Sequence, residues 1–176
     1  MNYSIENIPS ESKFLFFWGH QPSRDGSISK TCFSQWWLSP FMEDGVEYKT
    51  TEHWMMAKKA KLFHDYEILD QILNAKSPAE VKKLRRAIKN YDDEIWLQNR
   101  FTIVKKDKLL KFSQNESLKK LLLHTNARII VEASPVDAIW GIGMARDHSD
   151  ATNPQKWQGL NLLGFALMEV RDELQK

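Results

Sequence analysis

The sequence predicts an α+β domain that is mainly helical and contains a few short strands. Patterns with apolar residues three and four positions apart dominate residues 51–124 and return at 161–173, whereas extended segments are short and scattered. The 176 residues contain no internal repeat and no linker rich in Pro, Gly or Ser that would separate two domains. We therefore expect a single domain over residues 14–176, preceded by an N-terminal extension over residues 1–13.

The first fifty residues are rich in aromatic side chains and predict extended structure. Residues 14–18 have the sequence FLFFW and precede a segment with Gly, Pro and Ser, which indicates a strand followed by a loop. Residues 32–41 predict a second extended segment. A turn at 43–45 leads to a third over residues 46–48, because its Asp-Gly pair adopts positive backbone φ easily.

Helical patterns begin at residue 51. The segment TEHWMMAKKAKLF is built from strong helix formers and has Thr50 or Thr51 as its cap. Ser77-Pro78-Ala79-Glu80 is a capping box with proline at the first helical position. The later helices are expected over about 65–74, 77–89, 92–112, 116–124 and 161–173, with a strand over 128–133 and a loop over 144–158.

The composition excludes several classes of protein. A net charge of +2 is too small for the positive field that holds duplex nucleic acid through many phosphates. A single cysteine, Cys32, excludes an intramolecular disulfide and a cysteine-based zinc cluster, and it favours a reducing compartment such as the cytoplasm. There is no secretory signal pattern and no run of about 18 apolar residues, so we expect no membrane partner.

The common catalytic signatures are absent. The chain has no glycine-rich phosphate loop, no HExxH pair and no GxSxG serine. Its five histidines are not spaced like metal ligands, so neither a metal nor another cofactor is expected. Two segments carry the remaining chemical signals.

The first segment contains Glu52 and Lys59. They lie seven positions apart, which on an α-helix places them on one stripe, roughly 10 Å apart along the axis. A small ligand fits between two such groups. Glu52 also falls in the first helical turn, where the helix dipole stabilises a carboxylate, and that alone is a sufficient structural reason for it.

The second segment runs from residue 133 to residue 164. Gly141 and Gly143 follow Trp140, which lets backbone approach a ligand beside an aromatic plane, although a tight turn against the core is an equal alternative. Asn161 lies where the last helix begins, so a helix cap is the favoured interpretation of its side chain. Carboxylates are supplied by Asp137, Asp147 and Asp150.

Together, these blocks resemble the NADAR family of YbiA-like N-glycosidases. The resemblance rests on SQWWLSPF, EHWMMAKKAKLF, AEVKKLRR, IWLQNRFTIV, SPVDAIWGIGM and KWQGLNLLG, in the family's order, over about residues 14–174. It implies a YbiA-like fold and hydrolysis of an N-glycosidic bond. The implied substrates are small molecules, the phosphoribosylamino-pyrimidines of riboflavin biosynthesis, which would be split to an aminouracil and ribose 5-phosphate.

The resemblance leaves two alternatives open. Related members remove ADP-ribose from guanine in DNA or RNA, so ADP-ribosylated nucleic acid is a second possible partner. A non-catalytic module that binds ADP-ribose or a nucleotide is the third interpretation, although the motif acids are present. The oligomeric state is left open by the sequence.

The resemblance also implies the residues of the site. Glu52 would support the oxocarbenium-like centre or activate water, and Asp137 would orient the sugar or exchange the proton, or the two roles would be reversed. Lys59 offers a variant route through a Schiff base. The implied substrate-binding residues are Trp96, Trp140, Gly141, Gly143, Asp147, Asn161 and Gly164.

Overall fold

The chain folds into six α-helices, four short strands and several 3-10 turns. The computed structural model describes all residues, Met1–Lys176, and confirms the mainly helical α+β class with few short strands. The chain divides into two compact units, one of residues 35–115 and one of residues 1–34 together with 116–176.

The unit of residues 35–115 consists of a β-hairpin and four helices. Strands β2 (Phe41–Glu43) and β3 (Val46–Tyr48) pair antiparallel, and the predicted turn between them places Asp44 and Gly45 at φ 51° and 79°. The helices are α1 (Thr51–Leu62), α2 (Tyr66–Asn74), α3 (Pro78–Leu84) and α4 (Asp93–Gln114). Helix α1 packs against each of the other three, so it is the central element of this unit.

Side-chain caps begin these four helices. Thr50, Asp65, Ser77 and Asp92 each accept a hydrogen bond from the backbone N–H three residues further on. The predicted capping box at residues 77–80 is formed in part, because Glu80 accepts from the N–H of Lys76 rather than from that of Ser77. Helix α3 is also shorter than predicted and continues as a 3-10 turn, Arg85–Ala87.

The discontinuous unit is built on a two-stranded parallel sheet. Strand β1 (Phe14–Phe17) pairs with β4 (Ile129–Glu132). Helix α6 (Leu162–Leu174) packs on β4 and on α5 (Glu116–Leu123). The N-terminal segment is attached to α6, since the N–H of Asn2 donates to Glu169 at 2.5 Å and the Tyr3 hydroxyl donates to Asp172 at 2.6 Å.

One local prediction is wrong and one is refined. Residues Lys30–Phe33 form a 3-10 turn where an extended segment was expected from residue 32. The turn buries Cys32 and Phe33 completely and sets the Phe33 ring edge-to-face against Phe17, with centroids 5.6 Å apart. The predicted loop over 144–158 contains a short 3-10 turn, Pro154–Lys156. None of the helices combines the length and apolar character that a membrane crossing requires.

Candidate active site

Glu52 is a buried carboxyl group in the first turn of α1. Its side chain is buried, with the residue 6% exposed, and its carboxylate forms no hydrogen bond. Burial raises the pKa of Glu52 to about 7, against the opposing effect of the nearby Lys82 and Arg85 cations. A carboxyl group that titrates near neutral pH can act as a general base or a general acid.

Lys59 lies two turns further along α1 and is also buried. Its Nζ atom lies 4.1 Å from the ring centroid of Tyr91 and 4.6 Å from that of Trp96, so two aromatic rings contact the ammonium. Burial lowers the pKa of Lys59 to about 8, and the charge of Arg85 adds to this effect. An amine with this pKa is partly neutral in mildly alkaline solution, and the neutral form is a nucleophile.

Tyr91 contacts Lys59 and is a candidate-site residue that the sequence analysis missed. Its hydroxyl donates to Asp93 at 2.7 Å, and its ring packs edge-to-face on Phe63 with centroids 5.2 Å apart. Burial and the hydrogen bond to Asp93 raise the pKa of Tyr91 to about 12, so the hydroxyl stays protonated. The available signal is an aromatic residue just before the capping aspartates of α4, but no local pattern shows that it meets α1.

Lys82 and Arg85 supply positive charge near Glu52. They lie three positions apart at the end of α3 and in the 3-10 turn after it, and both are exposed. The Lys82 ammonium lies 5.5 Å from the ring centroid of Trp36, and neither cation forms an ion pair. Lys82 and Arg85 therefore remain available for an anionic ligand. The sequence analysis missed both, because KKLRR has the pattern of a solvated basic helix end.

His53 follows Glu52 in the sequence but has a structural role. Its Nδ1 atom lies 2.8 Å from the Thr50 hydroxyl, and its Nε2 atom lies 3.2 Å from the Ala75 carbonyl oxygen. Burial lowers the pKa of His53, so the ring is neutral at pH 7 and joins the start of α1 to the end of α2. No group of three His, Cys, Asp or Glu side chains is arranged to hold a metal ion.

Asp137 and Trp140 lie in the other compact unit, in the loop between β4 and α6. One carboxylate oxygen of Asp137 accepts hydrogen bonds from the N–H groups of Ile139 and Trp140, both at 2.8 Å. These two bonds hold a tight turn. The second carboxylate oxygen accepts none. The geometry thus gives Asp137 a structural role, and its catalytic role stays a prediction.

The glycines of this loop and of the first turn of α6 are explained by backbone packing. A Cβ atom on Gly141 would lie 2.7 Å from the carbonyl oxygen of Glu132. Gly143 has φ +69°, and a Cβ there would lie 3.1 Å from Gln158. At Gly164 a Cβ would overlap the carbonyl oxygen of Ile130. The tight-turn alternative therefore accounts for Gly141 and Gly143, and the close packing of α6 on β4 accounts for Gly164. Contact of these glycines with a ligand stays a prediction.

Asn161 occupies the residue before α6 but does not cap it. It is fully buried with φ 52°, its side-chain oxygen accepts from the N–H of Glu132 at 3.0 Å, and its amide donates to Ile130 at 2.9 Å. The helix-cap interpretation is wrong because these bonds fix the start of α6 to β4 instead. Asp147 is exposed in the same loop, and its predicted contact with substrate is not tested by the geometry.

Comparisons with known proteins identify related chains. The NADAR domain model matches residues 16–175. N-glycosidase R617 of Acanthamoeba polyphaga mimivirus is 40% identical over 169 residues, which are 93% of this chain and 98% of the relative. N-glycosidase YbiA of Escherichia coli K12 is 30% identical over 142 residues, 81% of this chain and 80% of the relative. The NMR structure of E. coli YbiA matches with a TM-score of 0.72 and 27% identity, covering 99% of this chain and 94% of that one. The predicted YbiA-like fold is confirmed.

Proposed function

Because this chain belongs to the NADAR family, we propose that it is an N-glycosidase that hydrolyses phosphoribosylamino-pyrimidine intermediates of riboflavin biosynthesis. The products are an aminouracil and ribose 5-phosphate, and the reaction disposes of unstable intermediates. Two relatives that are named N-glycosidases support the activity. The observation that carries the proposal is the Glu52 carboxyl group, buried without a hydrogen-bond partner and with its pKa raised by burial to about 7.

Hydrolysis replaces the bond between C1 of the ribose and the base nitrogen with a bond between C1 and a water oxygen. Positive charge develops on the sugar and negative charge on the leaving nitrogen, so the reaction needs a carboxylate near C1 and a proton for the base. Glu52 is ionised above its pKa and takes the first role, stabilising the sugar and accepting a proton from water. Asp137 orients the sugar or exchanges the proton, a role supported by the family resemblance.

Lys59 offers a second route to the same products. Its neutral amine adds to C1 of the ring-opened sugar–base imine, the bond to the base nitrogen breaks, and that nitrogen leaves with a proton. Water then hydrolyses the new lysine imine and restores the amine. Borohydride added during turnover reduces this imine to a stable adduct. Failure to trap a protein–sugar adduct would count against the lysine route.

The sugar phosphate requires cations, and Lys82 and Arg85 are placed to supply them. Both influence the Glu52 carboxyl group electrostatically, and neither is engaged in an ion pair. Their neighbours Lys83 and Arg86 have the same charge and the same exposure but are not among the main charges that shift the pKa of Glu52. We therefore expect Lys82 and Arg85, and not their neighbours, to contact the phosphate.

Charge-matched variants test this assignment. The variants Lys82→Ala and Arg85→Ala should each raise KM for the phosphorylated substrate about tenfold, the loss expected for one charge-assisted hydrogen bond. The same variants should leave KM for a dephosphorylated substrate unchanged. Lys83→Ala and Arg86→Ala are the controls, and an equal rise in KM for these variants would contradict the assignment.

The experiment that tests the function compares two substrates. Purified protein without added metal is incubated with the phosphoribosylamino-pyrimidine and, separately, with guanine-ADP-ribosylated single-stranded DNA. We expect release of ribose 5-phosphate, and we expect Glu52→Gln to abolish it while the circular dichroism spectrum is unchanged. Release of ADP-ribose alone would move the function to nucleic-acid repair, and release of neither product would favour the binding module.

A further inference from the structure

Helix α4 carries three charged side chains on its buried face. Val104, Asp107, Lys108 and Lys111 follow the spacing of one helix face, and all four are completely buried. Burial of a charge is strongly unfavourable unless the charge is paired and hydrogen-bonded. An apolar face would pack α4 at least as well, so packing does not explain Asp107 and Lys108.

Asp107 and Lys108 are joined to two polar residues from outside α4. The Lys108 ammonium donates to the side-chain oxygen of Gln35 and, at 2.9 Å, to the Thr51 hydroxyl, and it lies 3.4 Å from Asp107. The Gln35 amide donates to the other Asp107 oxygen at 3.1 Å. We call these four residues, Gln35, Thr51, Asp107 and Lys108, the buried network.

The buried network is connected to Glu52 through one backbone carbonyl. The Gln35 carbonyl oxygen accepts hydrogen bonds from the Thr51 hydroxyl at 3.1 Å and from the N–H of Glu52 at 3.0 Å. Lys108 and Asp107 hold the side chain of Gln35, and the backbone of the same residue holds the first turn of α1. The position of the Glu52 backbone is thus determined from α4.

We propose that the buried network is a positioning device for Glu52, with Asp107 and Lys108 as its two charged members. This inference rests on the proposed function of Glu52 as the reacting carboxyl group. The network fixes the helical turn that carries Glu52, and its two charges act on the carboxyl group with opposite signs. The buried network therefore determines both the position and the charge state of the Glu52 carboxyl group.

The charges around Glu52 show why the α4 pair has this effect. Lys82 and Arg85 approach from α3 and the turn after it, and Lys59 lies on α1 itself. Asp107 and Lys108 approach from α4, where Asp107 raises and Lys108 lowers the pKa of Glu52. Helix α2 and strand β3 also pack on α1 but supply none of the main charges behind this shift. The α4 pair is completely buried, so water screens it least.

Two single variants with opposite expected effects test the proposal. Asp107→Asn keeps the size of the side chain and removes a negative charge, so the limb of the kcat/KM–pH profile that belongs to Glu52 should move to lower pH. Lys108→Met removes a positive charge and should move the same limb to higher pH. We expect shifts of roughly 0.5–1 pH unit. A purely structural role predicts loss of activity without opposite shifts, and that result would overturn the proposal.

Matched variants separate charge from contact. Lys106→Met removes another lysine of α4, one that pairs with Glu43 at 3.0 Å outside the buried network, and it should leave the limb in place. Thr51→Val removes a contact without changing a charge, so kcat should fall about tenfold while the Glu52 limb of the kcat/KM–pH profile moves little. Thr51→Ser keeps the hydroxyl group and should restore kcat. If Lys108→Met does not fold, the near-isosteric Asp107→Asn decides by itself.

A readout without turnover keeps this inference distinct from the proposed function. In protein labelled with ¹³C at the glutamate carboxyl carbons, the Glu52 signal is assigned by its absence in Glu52→Gln and titrated by NMR. Opposite shifts of its midpoint in Asp107→Asn and Lys108→Met would support the network even if no N-glycosidase activity were found. Equal midpoints in both variants and the unaltered protein would overturn it.

Discussion

Burial of Glu52 suits its proposed catalytic role but lowers the folding stability of the protein at neutral pH. The Glu52 carboxyl group is largely shielded from water and has no hydrogen-bond partner in the protein, and burial raises its pKa from 4.5 to about 7. A group with a raised pKa binds its proton more tightly in the folded than in the unfolded chain. Folding stability is therefore lost as the pH rises from about 4.5 to 7.

The variant Glu52→Gln should abolish turnover and stabilise the protein in alkaline solution. At pH 8 we expect it to unfold with a free energy about 1–3 kcal/mol higher than the unaltered protein, because a buried charge is gone. At pH 4 the two proteins should be equally stable. Urea denaturation at both pH values measures this, and the exposed Glu47→Gln serves as the control. Equal stability at pH 8 would contradict a raised pKa at Glu52.

Asp137 combines a structural contact with a predicted catalytic role, and two variants separate them. Asp137→Asn keeps the oxygen that accepts from Ile139 and Trp140, so its stability should change by less than about 0.5 kcal/mol. Asp137→Ala loses both bonds and should be destabilised by about 1–2 kcal/mol. If the carboxylate is catalytic, Asp137→Asn should lose at least about 100-fold in kcat. Full activity of this stable variant would leave Asp137 with its structural role alone.

At the scale of elements, helix starts are the best predicted features. The cap expected at Thr50 or Thr51 forms at Thr50, the Ser77 cap is formed, and the helix expected from about residue 92 is capped by Asp92. These starts are predictable because capping depends on residues within one turn of each other. The start of α6 is different. Asn161 has the sequence pattern of a cap, but its side chain bonds β4, a strand about thirty residues earlier in the chain. The local pattern is the same in both cases, and only the neighbouring strand distinguishes them.

The attachment of α6 to β4 through Asn161 should be one of the strongest polar contacts of its unit. Asn161→Ala leaves two buried backbone groups without partners and places alanine at positive φ, so we expect a loss of about 2–4 kcal/mol in unfolding free energy. Asn161→Gly loses the same bonds but tolerates the backbone, and it should lose about 1 kcal/mol less. Thermal denaturation of both variants measures the difference. A loss below about 0.5 kcal/mol for Asn161→Ala would contradict this role.

For the whole molecule, the acid sensitivity of folding should depend on Glu43. The carboxylate oxygens of this β2 residue lie 2.5 Å from the Lys58 Nζ atom and 3.0 Å from the Lys106 Nζ atom. The Trp54 indole N–H also donates a hydrogen bond to this carboxylate at 2.8 Å. Burial would raise the pKa of Glu43, but these contacts outweigh burial and hold it at about 2. A lowered pKa gives stability that is complete above about 4.5 and lost as the pH falls toward 2.

At pH 7 the variant Glu43→Gln should therefore have a free energy of unfolding about 1–2 kcal/mol lower than that of the unaltered protein. It should unfold at a correspondingly lower urea concentration. The difference should shrink between pH 4.5 and 2. Equilibrium unfolding across this range measures it. A constant difference at all pH values would show that packing rather than charge is lost. This dependence has the opposite sign to that expected from Glu52, so the two variants distinguish the two carboxyl groups.

The candidate site was predicted only in part, for a physical reason that Lys59 and Tyr91 illustrate. The spacing of Glu52 and Lys59 on one helix is a local property, and the sequence shows it. The contact between Lys59 and Tyr91 joins α1 to the segment before α4, about thirty residues later, and no periodicity reveals it. The roles of the predicted residues in catalysis and substrate binding stay predictions.

The sequence by itself determined the mainly helical α+β class, the helix starts, strands β1, β3 and β4 and the family. Periodicity and capping are properties of neighbouring residues, and the order of the family's blocks is read directly along the chain. Only the tertiary structure determined which charged side chains are buried. Asp107 and Lys108 have the pattern of a solvated helix face, yet the packing of α4 against α1 buries them beside Glu52. Burial depends on what covers a face, and for that reason the chemical character of Glu52 emerges only in the folded chain.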